Sequence, residues 1–287
     1  MKRTAATCCR PFAIQIGGNA MEFTKMHGAG NDYILLNCTE HFPADPAELS
    51  KRLSDRHFGV GGDGLICICP SEQADFLMRM YNADGSEGAM CGNGIRCAAK
   101  FAFEKKLTEK QSILFETKAG LRKVELELKD GEIVGAEVVI GAVTIGEVLD
   151  IDVKGKIYTG VAAEAGNLHF VIPDSVLDAT EVQMVGEALQ KSALFPDGVN
   201  VELVKVLCRG EIQVRVWERG SGETLACGTG ACAAAAVMNA MGRTERRVNV
   251  RMPGGDLEVF YCDKDRKWHL RGPAETVFEG RINGMLW

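Results

Sequence analysis

The 287-residue chain lacks the features that would place it in a membrane or on nucleic acid. No apolar run approaches the roughly 20 residues that a membrane-spanning helix needs. The formal net charge is −6, whereas a phosphate-binding surface is basic. The basic cluster from Arg243 to Arg251 is interpreted as a solvated edge. We therefore expect neither a membrane nor a nucleic acid as a partner.

The sequence also lacks recognisable motifs for metals and phosphates. It has 11 cysteines, but no C-x-x-C pair and no histidine cluster at zinc spacing, so we expect no structural metal. The segment Gly59 to Gly64 (GVGGDG) superficially resembles a phosphate loop but lacks the Lys-Ser/Thr ending. A chain of this size does not need disulfides, and the irregular cysteine spacing favours reduced thiols in a cytoplasmic enzyme. Most of these cysteines are expected in the core.

What the chain does contain is a repeated segment. NADGSEGAMCGNG ends in Cys91-Gly-Asn-Gly, and ERGSGETLACGTG ends in Cys227-Gly-Thr-Gly, an offset of 136 residues (227 − 91). Asn31 and Asn167, each after a glycine, share that offset (167 − 31 = 136). Two independent matches at one spacing predict a duplicated domain whose halves each contribute one thiol to a shared, pseudo-symmetric site.

Short β-rich runs separated by Gly, Asp and Asn dominate the chain, with helices expected roughly over residues 47–56, 95–106, 181–190 and 231–240. The last of these (ACAAAAVMNA) is apolar on all sides and must be buried. We predict an α+β fold of two pseudo-symmetric, duplicated domains, each a curved, mostly antiparallel sheet or barrel around a central buried helix. Residues 1–20 are interpreted as an N-terminal extension outside the fold, 21–140 as the N-terminal domain and 141–272 as the C-terminal domain.

The two repeated cysteines are the candidate catalytic residues. Each precedes a Gly-x-Gly step that leads into a helix, and a helix N-terminus favours a thiolate and binds a carboxylate. Such a position can lower the pKa of a thiol from about 8.5 to near neutrality. Two matched thiols suit a base and an acid on opposite faces of one carbon. A nucleophile assisted by histidine has less support, and burial of both cysteines for packing alone remains open.

Polar side chains near the repeats are candidate ligands for ammonium and carboxylate groups, although each could instead stabilise a turn or a surface ion pair. They are Asn31, Asn82, Asn167, Asn200, Glu218 and Arg219.

The two repeated segments that contain Cys91 and Cys227, together with HGAGNDY, GNLHFV and DGVNV, resemble the diaminopimelate epimerase family. The resemblance implies cofactor-independent interconversion of LL- and meso-diaminopimelate in lysine and cell-wall synthesis, without pyridoxal phosphate or a metal. It implies that Cys91 takes the proton from the LL substrate and that Cys227 supplies the new one. It further implies a final strand, over 273–287, that completes the N-terminal domain, and a possible homodimer.

The resemblance also implies specific contacts to the substrate. The six polar residues named above match ligand-contacting positions, and His169 matches an auxiliary position near the site. Backbone groups of Gly92-Asn93 and Gly228-Thr229 match the two anion-binding helix starts.

Two other classes of function stay open at this point. A related racemase could act on proline or hydroxyproline, although Glu218-Arg219 and the asparagines suit a second amino-acid head group that proline lacks. A non-catalytic, cysteine-rich redox sensor is the alternative from a different class. A protein of the same fold without cysteine chemistry is excluded by the presence of both thiols. Oxidation could also join Cys91 and Cys227 as a regulatory disulfide.

Overall fold

The structure is a computed structural model that describes residues 20–282. The predicted extension, apart from Ala20, and residues 283–287 of the predicted final strand lie outside the described residues. The first half of the chain contains β1 (Met21–Gly28), β2 (Asn31–Asn37), α1 (Pro46–Ser54), β3 (Gly64–Cys69), β4 (Phe76–Asn82), β5 (Glu87–Gly88), α2 (Gly92–Glu104), β6 (Ser112–Thr117), β7 (Gly120–Lys129) and β8 (Glu132–Gly141). The second contains β9 (Thr144–Val153), β10 (Lys156–Glu164), β11 (Leu168–Ile172), α3 (Ala179–Gln190), β12 (Asn200–Cys208), β13 (Glu211–Glu218), β14 (Gly222–Thr224), α4 (Gly228–Ala240), β15 (Arg247–Met252), β16 (Gly255–Cys262), β17 (Lys267–Gly272) and β18 (Glu275–Ile282).

The order of strands and helices from β1 to β8 recurs from β10 to β17. Most strand pairs are antiparallel, but β2 pairs with β3 in parallel, as β11 does with β12. The parallel pair β4 and β6 likewise recurs as β13 and β15. The 136-residue offset therefore corresponds to a repeated topology, and the predicted α+β class with duplicated halves is confirmed.

Two helices, α2 and α4, are enclosed by these strands. In α2 the residues from Gly92 to Ala102 are all buried, and α4 is buried from Ala231 to Met238. A helix that is covered on all sides has no solvent face to keep polar, which explains the run of alanines in α4. Within residues 20–282 no helix is long and apolar enough to cross a membrane.

One strand pairing connects the two ends of the described chain, and another connects its two halves. β18, near the C-terminus, pairs with β1, and β9 makes the equivalent pairing with β10. β8 pairs with β17 across the two halves. The predicted domain boundaries stay a prediction, but β18 does lie beside the first strand of the chain.

Candidate active site

Each repeated cysteine occupies the N-cap position of a buried helix. Cys91 caps α2 and Cys227 caps α4, in extended backbone conformation. The N–H of the third helical residue donates to the sulfur in both cases, from Gly94 and from Gly230, at 3.4 Å. N-caps are usually Ser, Thr, Asp or Asn, whose oxygen accepts this bond. Here a thiol sulfur takes that place, so each thiol lies where the backbone favours negative charge.

The predicted helix starts at Ile95 and Ala231 are three residues too late (95 − 92 and 231 − 228). Glycine is a poor helix former, so local propensity does not indicate that the Gly-x-Gly steps are helical. In the structure, the glycines form the first turn, and the two first turns meet. A Cβ added at Gly92 would lie 3.8 Å from the Cα of Gly228. Both helix N-termini therefore open at one place.

That place is a cleft of about 740 Å³. Most of the predicted site residues line it, namely Asn31, Asn82, Cys91, Gly92, Asn93, Asn167, Glu218, Cys227, Gly228 and Thr229. The structure thus brings together residues from both halves of the chain, with one thiol from each.

Three predicted site residues do not line this cleft. Asn200 is buried, and its Oδ1 accepts from the backbone N–H of Arg219 at 2.8 Å. The Arg219 side chain is exposed and donates to the carbonyl of Asp197 at 3.0 Å. His169 is fully buried, with its Nδ1 2.7 Å from Glu202 Oε1. These residues support the loops and strands behind the cleft in this conformation.

One wall of the cleft is held by a chain of polar contacts. The Asn93 amide donates to Asn31 Oδ1, and the Asn31 amide donates to Asp63 Oδ2 at 3.4 Å. Arg56 donates to the other oxygen of Asp63 at 3.0 Å. Arg56 and Asp63 both line the cleft, although sequence reasoning singled out neither. Charges of both signs on this wall suit a zwitterionic ligand.

The surroundings of Cys91 stabilise negative charge on its sulfur. The Tyr33 hydroxyl donates to Cys91 Sγ at 3.1 Å. Arg96, one turn into α2, is fully buried and donates to Gly92 O, Asn93 Oδ1 and Pro273 O. No carboxylate within residues 20–282 forms an ion pair with Arg96, so an unneutralised positive charge lies behind this helix start.

The surroundings of Cys227 have the opposite charge. The negative charge of Glu218 raises the pKa of the Cys227 thiol, and Thr229 Oγ1 lies 3.5 Å from its sulfur. The fully buried Glu202 lies so close to the start of α4 that a Cβ at Gly230 would be 2.5 Å from its Oε1. Two carboxylates therefore oppose a thiolate here. At Cys91 only Glu218 opposes one, and a hydroxyl and a cation lie nearby.

The pKa shifts follow from these surroundings. Burial raises the pKa of Cys91, opposed by the hydrogen bonds from Tyr33 and Gly94. Burial, followed by Glu218 and Glu202, raises the pKa of Cys227 well above its ordinary value. The expectation that both thiols have low pKa values is therefore wrong for this conformation, because burial outweighs the helix starts. The upward shift is larger at Cys227, where two carboxylates add to the effect of burial.

Sequence reasoning missed Tyr33, Arg96 and Glu202. The repeat offset could have indicated the first, because Tyr33 and His169 are related by the same 136 residues (169 − 33). Tyr33 lies two residues after Asn31, and His169 lies two residues after Asn167. No local pattern indicates Arg96 or Glu202, because a charged residue without a visible partner is usually on the surface.

Comparison with known proteins gives a consistent result. Residues 23–145 and 161–277 match the sequence model of the family described as diaminopimelate epimerase. A diaminopimelate epimerase from Acetivibrio thermocellus is 42% identical over 278 residues, covering 92% of this chain and 99% of that protein. One from Parabacteroides distasonis is 45% identical over 265 residues, covering 92% and 98%.

Solved structures with low sequence identity share the fold. A phenazine biosynthesis protein of the PhzF family from Bacillus anthracis aligns with a TM-score of 0.75 at 17% identity, covering 92% of this chain and 99% of that chain. A hydroxyproline epimerase from Agrobacterium vitis, solved with trans-4-hydroxy-L-proline, aligns with a TM-score of 0.67 at 16% identity, covering 92% of both chains. At this identity the likeness concerns the fold alone.

Proposed function

Because this chain belongs to the diaminopimelate epimerase family and is therefore an isomerase, we propose that it interconverts LL- and meso-diaminopimelate with Cys91 and Cys227 as its two acid–base groups. The observation that carries this mechanism is the pair of cysteine N-caps, one from each half of the chain, in one cleft. A thiolate on one face of the α-carbon removes its proton, and a thiol on the other face returns one, which inverts the centre.

The charges around the two thiols support a direction of proton transfer. With Arg96 and Tyr33 near Cys91, and Glu202 and Glu218 near Cys227, the thiolate forms first at Cys91 while Cys227 keeps its proton. Cys91 is then the base for the LL substrate and Cys227 the acid. In the reverse reaction the roles exchange, because each forward turnover leaves the proton on Cys91.

The converging helix starts support a reaction that needs no cofactor. An α-proton of an amino acid is weakly acidic, so the negative charge that develops on its removal must be stabilised. Unpaired backbone N–H groups at the starts of α2 and α4 are suited to hold the adjacent carboxylate, onto which that charge spreads. Gly92-Asn93 and Gly228-Thr229 are the residues proposed for this role.

We propose that the second head group binds to Glu218 and to the polar wall of the cleft, which is formed by Asn31, Arg56, Asp63 and Asn93. Diaminopimelate carries two carboxylates and two ammonium groups, and this cleft is lined by Arg56, Asp63, Glu218 and several asparagines. Asn31, Asn82 and Asn167 are the amides proposed for this role, and Asn93, which also lines the cleft, holds Asn31. Asn200, Arg219 and His169 stay proposed as supporting residues.

The proposal is tested by proton NMR of LL-diaminopimelate with reduced enzyme in D₂O. A two-base reaction gives meso product with solvent deuterium at the α-carbon, while substrate recovered early keeps its proton.

Cys91→Ala and Cys227→Ala should each lose on the order of 10³-fold in kcat/KM, within the range for general acid–base catalysis. Cys208→Ala removes an exposed thiol away from the cleft and should leave turnover unchanged. Wild-type turnover in either single variant would contradict the proposal.

Parallel reactions with L-proline and trans-4-hydroxy-L-proline test the alternative substrate class. We expect little or no turnover, because proline has no second head group for the polar wall. A clear preference for proline over LL-diaminopimelate would overturn the substrate assignment while leaving the cysteine pair in place. The homodimer and the cytoplasmic location stay predictions.

A further inference from the structure

A second cluster of chemically reactive side chains lies in the hairpin formed by β16 and β17. Cys262 ends β16, Asp265 is in the turn, and His269 is in β17. One donor atom from each lies within 4.8 Å of the other two. None of the three is among the described residues that line the cleft, so this cluster is separate from the proposed active site.

Neighbouring groups hold the cluster in a defined orientation. His269 Nδ1 lies 2.7 Å from Glu137 Oε1, and the ring stacks on Phe260 with centroids 5.2 Å apart. Asp265 Oδ1 accepts from the backbone N–H of Lys267 at 3.2 Å, which directs its Oδ2 to within 3.0 Å of His269 Nε2. Histidine ligands of metals are typically held in this way, with a carboxylate on the other ring nitrogen.

The contact between His269 Nε2 and Asp265 Oδ2 needs a proton or a metal cation between the two atoms. If the Nδ1–H is donated to Glu137, neutral His269 presents a lone pair at Nε2, facing a carboxylate oxygen only 3.0 Å away. Two acceptors at this distance repel each other unless a proton or a metal cation lies between them. The Cys262 sulfur lies within 4.8 Å of both atoms, so three different metal-binding donors converge on this gap, which favours a metal.

The donor set and its spacing fit zinc. Sulfur, imidazole nitrogen and carboxylate oxygen are the three donor types that Zn²⁺ takes, at about 2.0–2.3 Å, which places neighbouring ligands of a tetrahedron about 3.5 Å apart. The three atoms here lie within 4.8 Å of one another, and Nε2 and Oδ2 are 3.0 Å apart, which is the scale of that spacing. The Cys-x₂-Asp-x₃-His pattern matches no familiar zinc spacing, which is why sequence reasoning expected no metal.

We propose that Cys262, Asp265 and His269 form a zinc-binding site with water as the fourth ligand and Glu137 orienting His269. On binding, the Cys262 thiol releases its proton to solvent as the sulfur–metal bond forms. Glu137 lies in β8 and His269 in β17, so the site lies at the strand pair that joins the two halves. Zinc there would link the hairpin to the first half of the chain.

The test uses Co²⁺ as a spectroscopic substitute for Zn²⁺, with the reduced full-length protein after removal of metal by a chelator. One Co²⁺ per chain should produce a sulfur-to-cobalt charge-transfer band and the strong visible bands of tetrahedral cobalt, and Zn²⁺ should displace it. Cys262→Ser should abolish the charge-transfer band, whereas Cys208→Ser, which removes another surface thiol, should retain it. Glu137→Gln should weaken Co²⁺ binding by about 10–100-fold.

The cleft thiols are the main competing ligands, so the spectra are repeated with Cys91→Ala. A charge-transfer band that survives in Cys262→Ser, or that disappears in Cys91→Ala, would overturn the proposal, as would wild-type protein without these bands. Circular dichroism checks that each variant is folded. The readout does not depend on turnover, so its failure is distinct from a failure of the proposed epimerase reaction.

Discussion

Cys91 and Cys227 occupy equivalent positions in the repeat but have different electrostatic surroundings. Arg96 in α2 corresponds at the 136-residue offset to Cys232 in α4 (232 − 96), so the buried cation is present on one side only. Glu202 and Glu218 both raise the pKa of Cys227. The proposed mechanism, which starts with one thiolate and one thiol, needs such a difference.

Tyr33→Phe is expected to raise the pKa of the Cys91 thiol. Burial raises the pKa of Tyr33 well above its ordinary value, so its hydroxyl stays a neutral donor that stabilises the thiolate. Loss of a hydrogen bond to a charged group costs about 1.5–3 kcal/mol, which corresponds to roughly one to two pH units. The pH at which Cys91 reacts at half its maximal rate with iodoacetamide, followed by peptide mass spectrometry, should move up by that amount.

Tyr81→Phe is the matched control for this substitution. The Tyr81 hydroxyl is buried and has no hydrogen-bond partner in the part of the chain that the structure describes, so its loss should leave the Cys91 profile in place. An unchanged profile in Tyr33→Phe would mean that this hydroxyl does not stabilise the thiolate.

The first turns of α2 and α4 require glycine for different reasons. A Cβ at Gly94 would approach Ile66 Cδ1, the end of a flexible side chain, at 2.9 Å. A Cβ at Gly230 would meet the Glu202 carboxylate at 2.5 Å, and Glu202 is held by its buried contact with His169. The His169 Nε2 and Glu202 Oε2 atoms are buried without other partners within residues 20–282, so displacement of this pair has no ready compensation.

Gly230→Ala is therefore expected to destabilise the protein more than Gly94→Ala. Overpacking of this kind costs about 1–3 kcal/mol, whereas glycine to alanine in an open helix gains up to about 1 kcal/mol. The free energy of unfolding in urea measures both. Gly210→Ala, where an added Cβ has no heavy atom within 4 Å, should be close to wild type. Wild-type stability for Gly230→Ala would show that Glu202 can move without cost.

Central strands and peripheral strands differ in how well the sequence indicates them. β3 (GLICIC) is buried at all six positions and reads as a strand from its β-branched, apolar run. The first half of β9, Thr144 to Val148, is exposed at every position and does not alternate, and only Leu149 to Val153 alternate between apolar and polar residues. Its conformation depends on pairing with β10, a tertiary contact that local propensity does not contain.

At the level of the complete fold, the ends of the described chain meet. Met21 in β1 pairs with Ile282 in β18, and the Phe23 and Phe278 rings contact each other edge to face at 5.8 Å. The C-terminal strand therefore covers an edge of β1 that would otherwise be open. This geometry supports the predicted assignment of the final strand to the N-terminal domain.

A circular permutant tests that assignment. The permuted chain begins at Pro273, runs through β18, joins Ile282 to Met21 through a short glycine-rich turn, and ends at Gly272. Because the joined residues are already partners, we expect cooperative unfolding and epimerisation close to those of the wild type. A chain truncated after Gly272 without the transfer should lose both, since β1 is left with an unpaired edge. An inactive, unfolded permutant would contradict the proposed domain division.

The sequence alone was enough to determine the α+β class, the duplication, the family and the position of both thiols at helix starts. These depend on local patterns: glycines after each cysteine, apolar helices, and one offset shared by Cys91, Cys227, Asn31 and Asn167. Capping residues and turn residues act within a few positions of the chain, so their patterns can be recognised without knowledge of tertiary contacts. The ligand roles of the proposed site residues remain predictions of this kind.

Only the tertiary structure decided that the two thiols have different charges around them, that His169 and Asn200 are buried away from the cleft, and that Cys262 and His269 lie close together. Each of these depends on burial and on charges that distant strands bring together. Desolvation and Coulomb interactions vary steeply with depth and distance, and neither quantity is a property of a local sequence pattern. A buried charge such as Arg96 can be recognised only when the strands that cover it are in place.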